Sequence, residues 1–270
     1  VSAWLLPVIP LDPGALSAGA AALADPQPKV TWALNVPGGW AARINIDFGG
    51  DRPIDTLGLL FHNGAIGGSM SIFGRTAAEG DFANLGGGES AENLLSPGQP
   101  WRAEPTITTA TRFHGIATFT QASVRYVRLI LYWPGPVDMR PFRAGVLAVG
   151  KRFQPGGLLG GLDWGAGRKV NDLSNVRILP GGERGRWRAP KLPEVRGSWS
   201  HLTDAELREF WSIVNEVGES EPVLLVETPD TGGAVGAHER IHYGTLVGLD
   251  FYERRQTDKS RAEVRLQHWL

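Results

Sequence analysis

The chain of 270 residues has no cysteine, which excludes disulfides and thiolate chemistry. Charge of neither sign dominates, with 27 Lys plus Arg against 28 Asp plus Glu. A general nucleic-acid binder normally shows a basic excess, so that class is disfavoured. No apolar run is long enough to span a bilayer. No Asn-x-Ser/Thr acceptor, no Gly-x4-Gly-Lys-Ser/Thr loop and no Gly-x-Ser-x-Gly elbow occurs. Gly156, Gly157, Gly160 and Gly161 lack the preceding strand and following helix that a nucleotide loop needs. The segment VSAWLLPVIPLDPG carries prolines and no basic start, and it does not read as a secretory leader. What is abundant is glycine, 36 residues, and proline, 19, the punctuation of many turns and short strands. There is no internal repeat. The length fits one large or two ordinary domains and a core that needs no covalent staples.

Periodicity in the first half is that of strands. From Ala41 to Phe48, Arg43, Asn45 and Asp47 alternate with Ala42, Ile44, Ile46 and Phe48. GGDRP then predicts a turn, IDTLGLLFHN a second strand and GSMSIFGR a third. Residues 76–106, full of Gly, Asn, Ser and Pro, read as loop. TRFHGIATFT, VRYVRLILYW and FRAGVLAVGK read as three further strands, rich in β-branched and aromatic residues. His62 and His114 fall in strand segments and read as polar-tipped packing. Many short strands at even spacing imply a sandwich or barrel.

Composition shifts at the glycine-dense RFQPGGLLGGLDWGAGRK, which sets the domain boundary near residue 153. The predicted domains are 1–153, in which 1–29 either join the barrel or form an arm, and 154–270. The second holds one clear helix, about 203–217. Thr203 and Glu206 form a capping box, Leu202 and Leu207 take the staple positions, and Gly218 is the stop. Leu207, Phe210, Trp211, Val214 and Val217 make its apolar face. PVLLVE, Ile241 to Phe251 and RAEVRLQHWL are strands for that helix to cover, the second a long alternating one. VRILPGGERGRWRAPKLPEVRG, rich in arginine and glycine, reads as an extended loop.

HERIH, His238 to His242, matches the zinc-protease pattern, which requires a helix that sets two imidazoles one turn apart beside a glutamate base. TGGAVGA before it is a poor helix start, and strand alternation follows. The segment therefore reads as a strand with two histidines on one polar face. Among the tryptophans, Trp40, Trp199 and Trp211 read as core. Trp101, beside Arg102, and Trp133 flank loops. There an indole either stacks on a sugar ring or pins its loop to the barrel.

The pieces WAARINIDFGGDRPIDTLGLLFHN, GSMSIFGR, VRYVRLILYW and RAGVLAVGK resemble a galactose-binding-like (discoidin-type) jelly-roll domain over roughly residues 30–152. The matching features are a Trp before a strand that ends Asp47-Phe48-Gly49, a strand that ends His62-Asn63, and a late Arg-Tyr-Val-Arg-Leu strand. The second half resembles the tail-tube-type fold of long-tailed phages, a β-sandwich with one flanking helix. The whole chain is similar to distal-tail or minor tail proteins of siphophage tail tips, with the two domains in the reverse of their commonest order. The resemblance implies a mainly β chain: an N-terminal jelly-roll sandwich and a C-terminal tail-tube-like β-sandwich with one packed α-helix. It implies a non-enzymatic structural subunit of the virion tail tip, without cofactor or metal. Its partners would be copies of itself in a ring, a hexamer ahead of a trimer, and neighbouring tail-tube and tail-tip proteins. Arg184, Arg186, Trp187 and Arg188 are then candidates for a subunit-contact arm. The alternative is a carbohydrate-binding module that meets host surface glycans through Trp101, Arg102 and Trp133. A zinc peptidase through HERIH ranks last.

Overall fold

The computed structural model describes residues 3–17, 19–34, 41–64, 68–76, 93–100, 113–132, 142–156, 162–163, 166–178, 180–189, 191–227, 240–248, 253–254 and 259–269. Its strands are β1 (Trp4–Pro7), β2 (Trp32–Leu34), β3 (Ala41–His62), β4 (Ser69–Arg75), β5 (Asn93–Pro100), β6 (Phe113–Tyr132), β7 (Phe142–Ala144) and β8 (Val146–Gly150), followed by β9 (Gly167–Asp172), β10 (Asn175–Ile178), β11 (Arg184–Trp187), β12 (Lys191–Leu202), β13 (Pro222–Val226), β14 (Ile241–Leu246), β15 (Glu253–Arg254) and β16 (Ser260–His268). The one α-helix among the described residues is α1 (Asp204–Val217). The fold class is mainly β. Two compact units form, Leu6–Arg152 with Asp230–Ile241, and Val1–Leu5 with Phe153–Pro229 and His242–Leu270. The N-terminal residues through Leu5 therefore belong with the C-terminal unit, because Leu5 pairs with Phe153 through two backbone hydrogen bonds of 2.9 and 2.6 Å.

In the first unit, β5-β4-β6-β3-β8 form one sheet and β2-β7 a small second one. The alternation in β3 does what its period requires, with Ile44 and Ile46 fully buried and Arg43 exposed. Ile72, Leu129, Leu131 and Val149 complete the same core from β4, β6 and β8. The turn expected at GGDRP is not made. The chain stays in β3, and its pairing with β6 breaks after Asp47 and resumes at Arg52. Gly49 takes φ +73° there and donates its N–H to Asp47 Oδ1 at 2.8 Å. A glycine bulge bends the strand without ending it. In the same way TRFHGIATFT and VRYVRLILYW are one strand, β6. Within the stretch read as loop, residues 93–100 form β5. It is an edge strand, the position that tolerates Pro97 and Pro100. His62 and Asn63 end β3 as structure: Asn63 Oδ1 accepts from Arg143 N–H at 2.7 Å, and His62 stacks on Phe142. Phe61, inside the register shift between Leu59 and His62, sits at φ +56°, a conformation that costs a non-glycine residue about 1–3 kcal/mol.

The second unit is built on one sheet in the order β1-β13-β14-β16-β12-β9, with β15 paired to β16, and β10-β11 form a separate two-stranded sheet. β12 runs antiparallel to β16 and β9, and β14 antiparallel to β16. Helix α1 begins as its sequence dictates. Thr203 accepts from Glu206 N–H, and Glu206 Oε2 accepts from Thr203 N–H at 2.8 Å. Phe210, Ile213, Val214 and Val217, at i, i+3, i+4 and i+7, are buried against Trp199, Leu202, Val264 and Leu266. Trp211 was expected on that face and is 37% exposed, one residue past the buried stripe. The long strand expected from Ile241 to Phe251 stops at Leu246, and Gly248 follows at φ +58°.

Candidate functional site

The feature that stands out in the second unit is the segment expected to be a loop. It is a hairpin followed by a strand: β10 and β11 pair antiparallel to each other and to no other named strand. Gly182, at φ +82°, supplies the left-handed residue of the connection. The register puts Val176 opposite Arg186 and Ile178 opposite Arg184 on one face, and Trp187 opposite Asn175 with Arg177 on the other. Both faces are thus apolar and cationic together. Val176 is 57% exposed, Ile178 75% and Trp187 76%. The four predicted contact residues, Arg184, Arg186, Trp187 and Arg188, are all exposed and follow one another along this ribbon. Sequence reading missed Val176 and Ile178. The apolar-polar-apolar step of NVRI was the available signal, overshadowed by the glycines and prolines around it.

At the root of the ribbon, Ser174 Oγ accepts the Ala189 N–H at 3.0 Å, and Asp172 Oδ1 accepts the Ser174 N–H at 2.8 Å. Asn171 donates to Glu194 across the β9–β12 pair at 2.7 Å. β9 is the sheet's edge, with Val170 58% exposed. The surface from β9 through β11 therefore presents isolated apolar side chains in a field of arginine.

A second cluster gathers titratable groups from four places in the same unit. His242 on β14 lies with Nε2 2.7 Å from Glu227 Oε1 and Nδ1 2.9 Å from His268 Nε2. Arg168 donates to both Glu227 oxygens, Nε to Oε1 at 3.3 Å and Nη2 to Oε2 at 3.2 Å. Burial would raise the Glu227 carboxyl, but the His242 and Arg168 hydrogen bonds outweigh it and hold the group at about 2. Burial, with the nearby charges of His242 and Arg168, pushes the His268 imidazole down to about 4. His242 belongs to HERIH, and it sits on a strand and buried, with both ring nitrogens engaged. That arrangement departs from the helical pair that zinc hydrolysis requires. His238 and Glu239 lie outside the described residues. Among the described residues no group of His, Cys, Asp and Glu is arranged to hold a metal ion, and no helix is long and apolar enough to cross a membrane. Glu227, His268 and Arg168 have no sequence signal that links them to His242, because 15 to 59 residues separate the bonded pairs.

The proposed sugar-contact residues Trp101, Arg102 and Trp133 lie outside the described residues, as does Trp40. Trp199 is core, 3% exposed, packed edge-on against Phe153 and Phe210.

No protein-family model matches the chain, and no curated protein does. Solved structures similar to it include chitosan-binding module 1 of the chitosanase/glucanase from Paenibacillus sp. IK-5, 16% identical, with a TM-score of 0.34 over 55% of this chain and 92% of that one. They include CpGH89CBM32-5 from Clostridium perfringens in complex with GalNAc-β-1,3-galactose, 16% identical, with a TM-score of 0.35 over 52% of this chain and 98% of that one. A third is CBM32-3 from a family 31 glycoside hydrolase of Clostridium perfringens, 12% identical, with a TM-score of 0.38 over 52% of this chain and 94% of that one.

Proposed function

We propose that this chain is a non-enzymatic assembly protein whose second unit docks through the β10–β11 ribbon onto other subunits. At the finer level of the family resemblance, it is a ring-forming component of the tail tip of a long-tailed phage, joined to neighbouring tail-tube and tail-tip proteins. The observation that carries the reading is the ribbon itself, exposed on both faces with Trp187 at 76%. A two-stranded hairpin without a covering layer is marginally stable in water. Full burial of Val176 and Ile178 is worth roughly 1.5–3 kcal/mol each, and an indole adds more. Trp and Arg together are the composition of interface hot spots. The test is native mass spectrometry and light scattering of the purified chain over a wide concentration range. Closed rings are expected, with six subunits ahead of three. A chain that stays monomeric at high concentration and binds no tail partner ends this reading.

A second reading concerns the first unit, as a carbohydrate-binding module for host surface glycans. It stands on the sequence alone, which pairs an indole with a guanidinium at Trp101 and Arg102 and places Trp133 before the Pro-Gly-Pro of LYWPGP. Saturable binding on a glycan array, lost in Trp101→Ala or Trp133→Ala, is its expected outcome, and an array without a hit removes it. Stoichiometric zinc in the purified protein, lost in His238→Ala, would instead bring back the hydrolase.

A further inference from the structure

We infer that the ribbon's partner is the α1 face of a second copy of this chain, so that the contact is head-to-tail. The inference rests on the assembly reading above and assigns the surface that receives the arm. The ribbon carries Arg177, Arg184, Arg186 and Arg188 against the single Glu183. The exposed side of α1 and the turn after it carry Asp204, Glu209, Glu216, Glu219 and Glu221 against the single Arg208. The signs are complementary within one unit of one chain. The two surfaces are different, and neither covers the other in the monomer: Trp187 is 76% exposed and Trp211 37%.

The helix has a feature of its own that agrees. Its last turn contains no basic residue, while Glu216 lies in that turn and Glu219 and Glu221 just beyond it. Carboxylates at this end face the negative pole of the helix dipole, where lysine or arginine is the favourable choice. A row of arginines brought by a neighbour relieves that repulsion. Arg184 and Arg186 stand two residues apart on one strand face, about 7 Å, so both can reach the carboxylates of Glu216, Glu219 and Glu221 gathered at one end of the helix. Val176 and Ile178 share that face and bring apolar contact. Two unlike patches that meet between identical chains make a heterologous contact, which closes into a ring or runs on as a filament.

The experiment is a charge swap on the full chain, read by sedimentation velocity and native mass spectrometry, with circular dichroism to confirm folding. Arg184→Glu with Arg186→Glu, and separately Glu216→Arg with Glu221→Arg, should each raise the concentration at which oligomers appear by roughly tenfold or more. Mixed in equal amounts, the two variants should assemble again with the subunits alternating, because each junction then joins opposite charges. Recovery on mixing also shows that neither variant had merely failed to fold. If the wild-type chain assembles and the arginine variant assembles equally well, this inference falls and the assembly reading survives. If both variants fail alone and also fail together, the arm meets some other surface and the inference is overturned. A wild-type chain that is always monomeric overturns this inference, and it ends the assembly reading as well only if the chain also binds no tail partner. An arginine variant that keeps the wild-type mass but loses a single-stranded DNA probe would make the ribbon a nucleic-acid surface instead.

Discussion

Acid should weaken the second unit through His268, and the size of the effect follows from its surroundings. The folded imidazole titrates at about 4, whereas a free histidine titrates near 6.5. Between those values the unfolded chain binds a proton that the folded chain refuses. The contribution of His268 is therefore fully present above pH 6.5 and is lost as pH falls toward 4. A difference of about 2.5 pH units is at most about 3 kcal/mol, and partial exposure of the ring reduces it to roughly 2 kcal/mol. Geometry gives the same sign. His242 Nδ1 and His268 Nε2 share one proton across 2.9 Å, and a proton on each would set two donors face to face. Glu227 acts in the same direction but lower, between about pH 4.5 and 2, where protonation removes the acceptor of His242 and Arg168. The assay is urea denaturation at several pH values from neutral to about 4.5, followed by intrinsic tryptophan fluorescence, to which Trp199 in the core of the second unit contributes. His268→Gln keeps an amide that can reach His242 and cannot titrate. The wild type should lose roughly 2 kcal/mol more than this variant over that interval. Parallel losses in the two proteins would refute the reasoning.

Thr203→Ala removes the side-chain half of the capping box and should cost about 1 kcal/mol, read as a lower thermal midpoint with an unchanged native spectrum. Gly244→Ala should be far worse than Gly197→Ala in the same assay. A Cβ at Gly244 runs into the backbone carbonyl of Gln267 on the paired strand, which cannot move, whereas at Gly197 it meets the methyls of Leu162 at 2.8 Å, and those can swing aside. Equal midpoints for the two glycine variants would contradict that distinction. Trp187→Ala should leave the monomer's stability within about 0.5 kcal/mol of wild type, since its ring is mostly in water, while it weakens self-association.

What was legible in the sequence was local. The helix could be read to within a residue because the Thr203–Glu206 box, the spacing of Phe210, Val214 and Val217, and Gly218 all act inside one turn or two, although the face was drawn through Trp211 where the fold buries Ile213. Strand alternation from Ala41 to Phe48 was equally plain, and β6 was legible as strand from its β-branched and aromatic content, though as two strands and not one. The errors arose wherever a partner strand overrode a local signal. Glycines that normally turn a chain made a bulge after Asp47, because β6 holds β3 on both sides of it. Prolines that normally mark loops were accepted at the edge in β5. The Glu227–His242–His268–Arg168 cluster was invisible for a related reason, since its members come from β9, β14, β16 and the end of β13 and only the folded sheet brings them together. The ribbon is the opposite case. Its residues were singled out by composition, but the reading as loop hid the register, and the register is what places Val176 and Ile178 beside Arg184 and Arg186. A solvated loop has no need to sort its apolar and cationic side chains onto common faces. A paired ribbon that keeps exposed isoleucine, valine and tryptophan in water has no gain in the isolated chain to offset their exposure, and that conflict between local structure and solvent is the physical ground for giving it a partner.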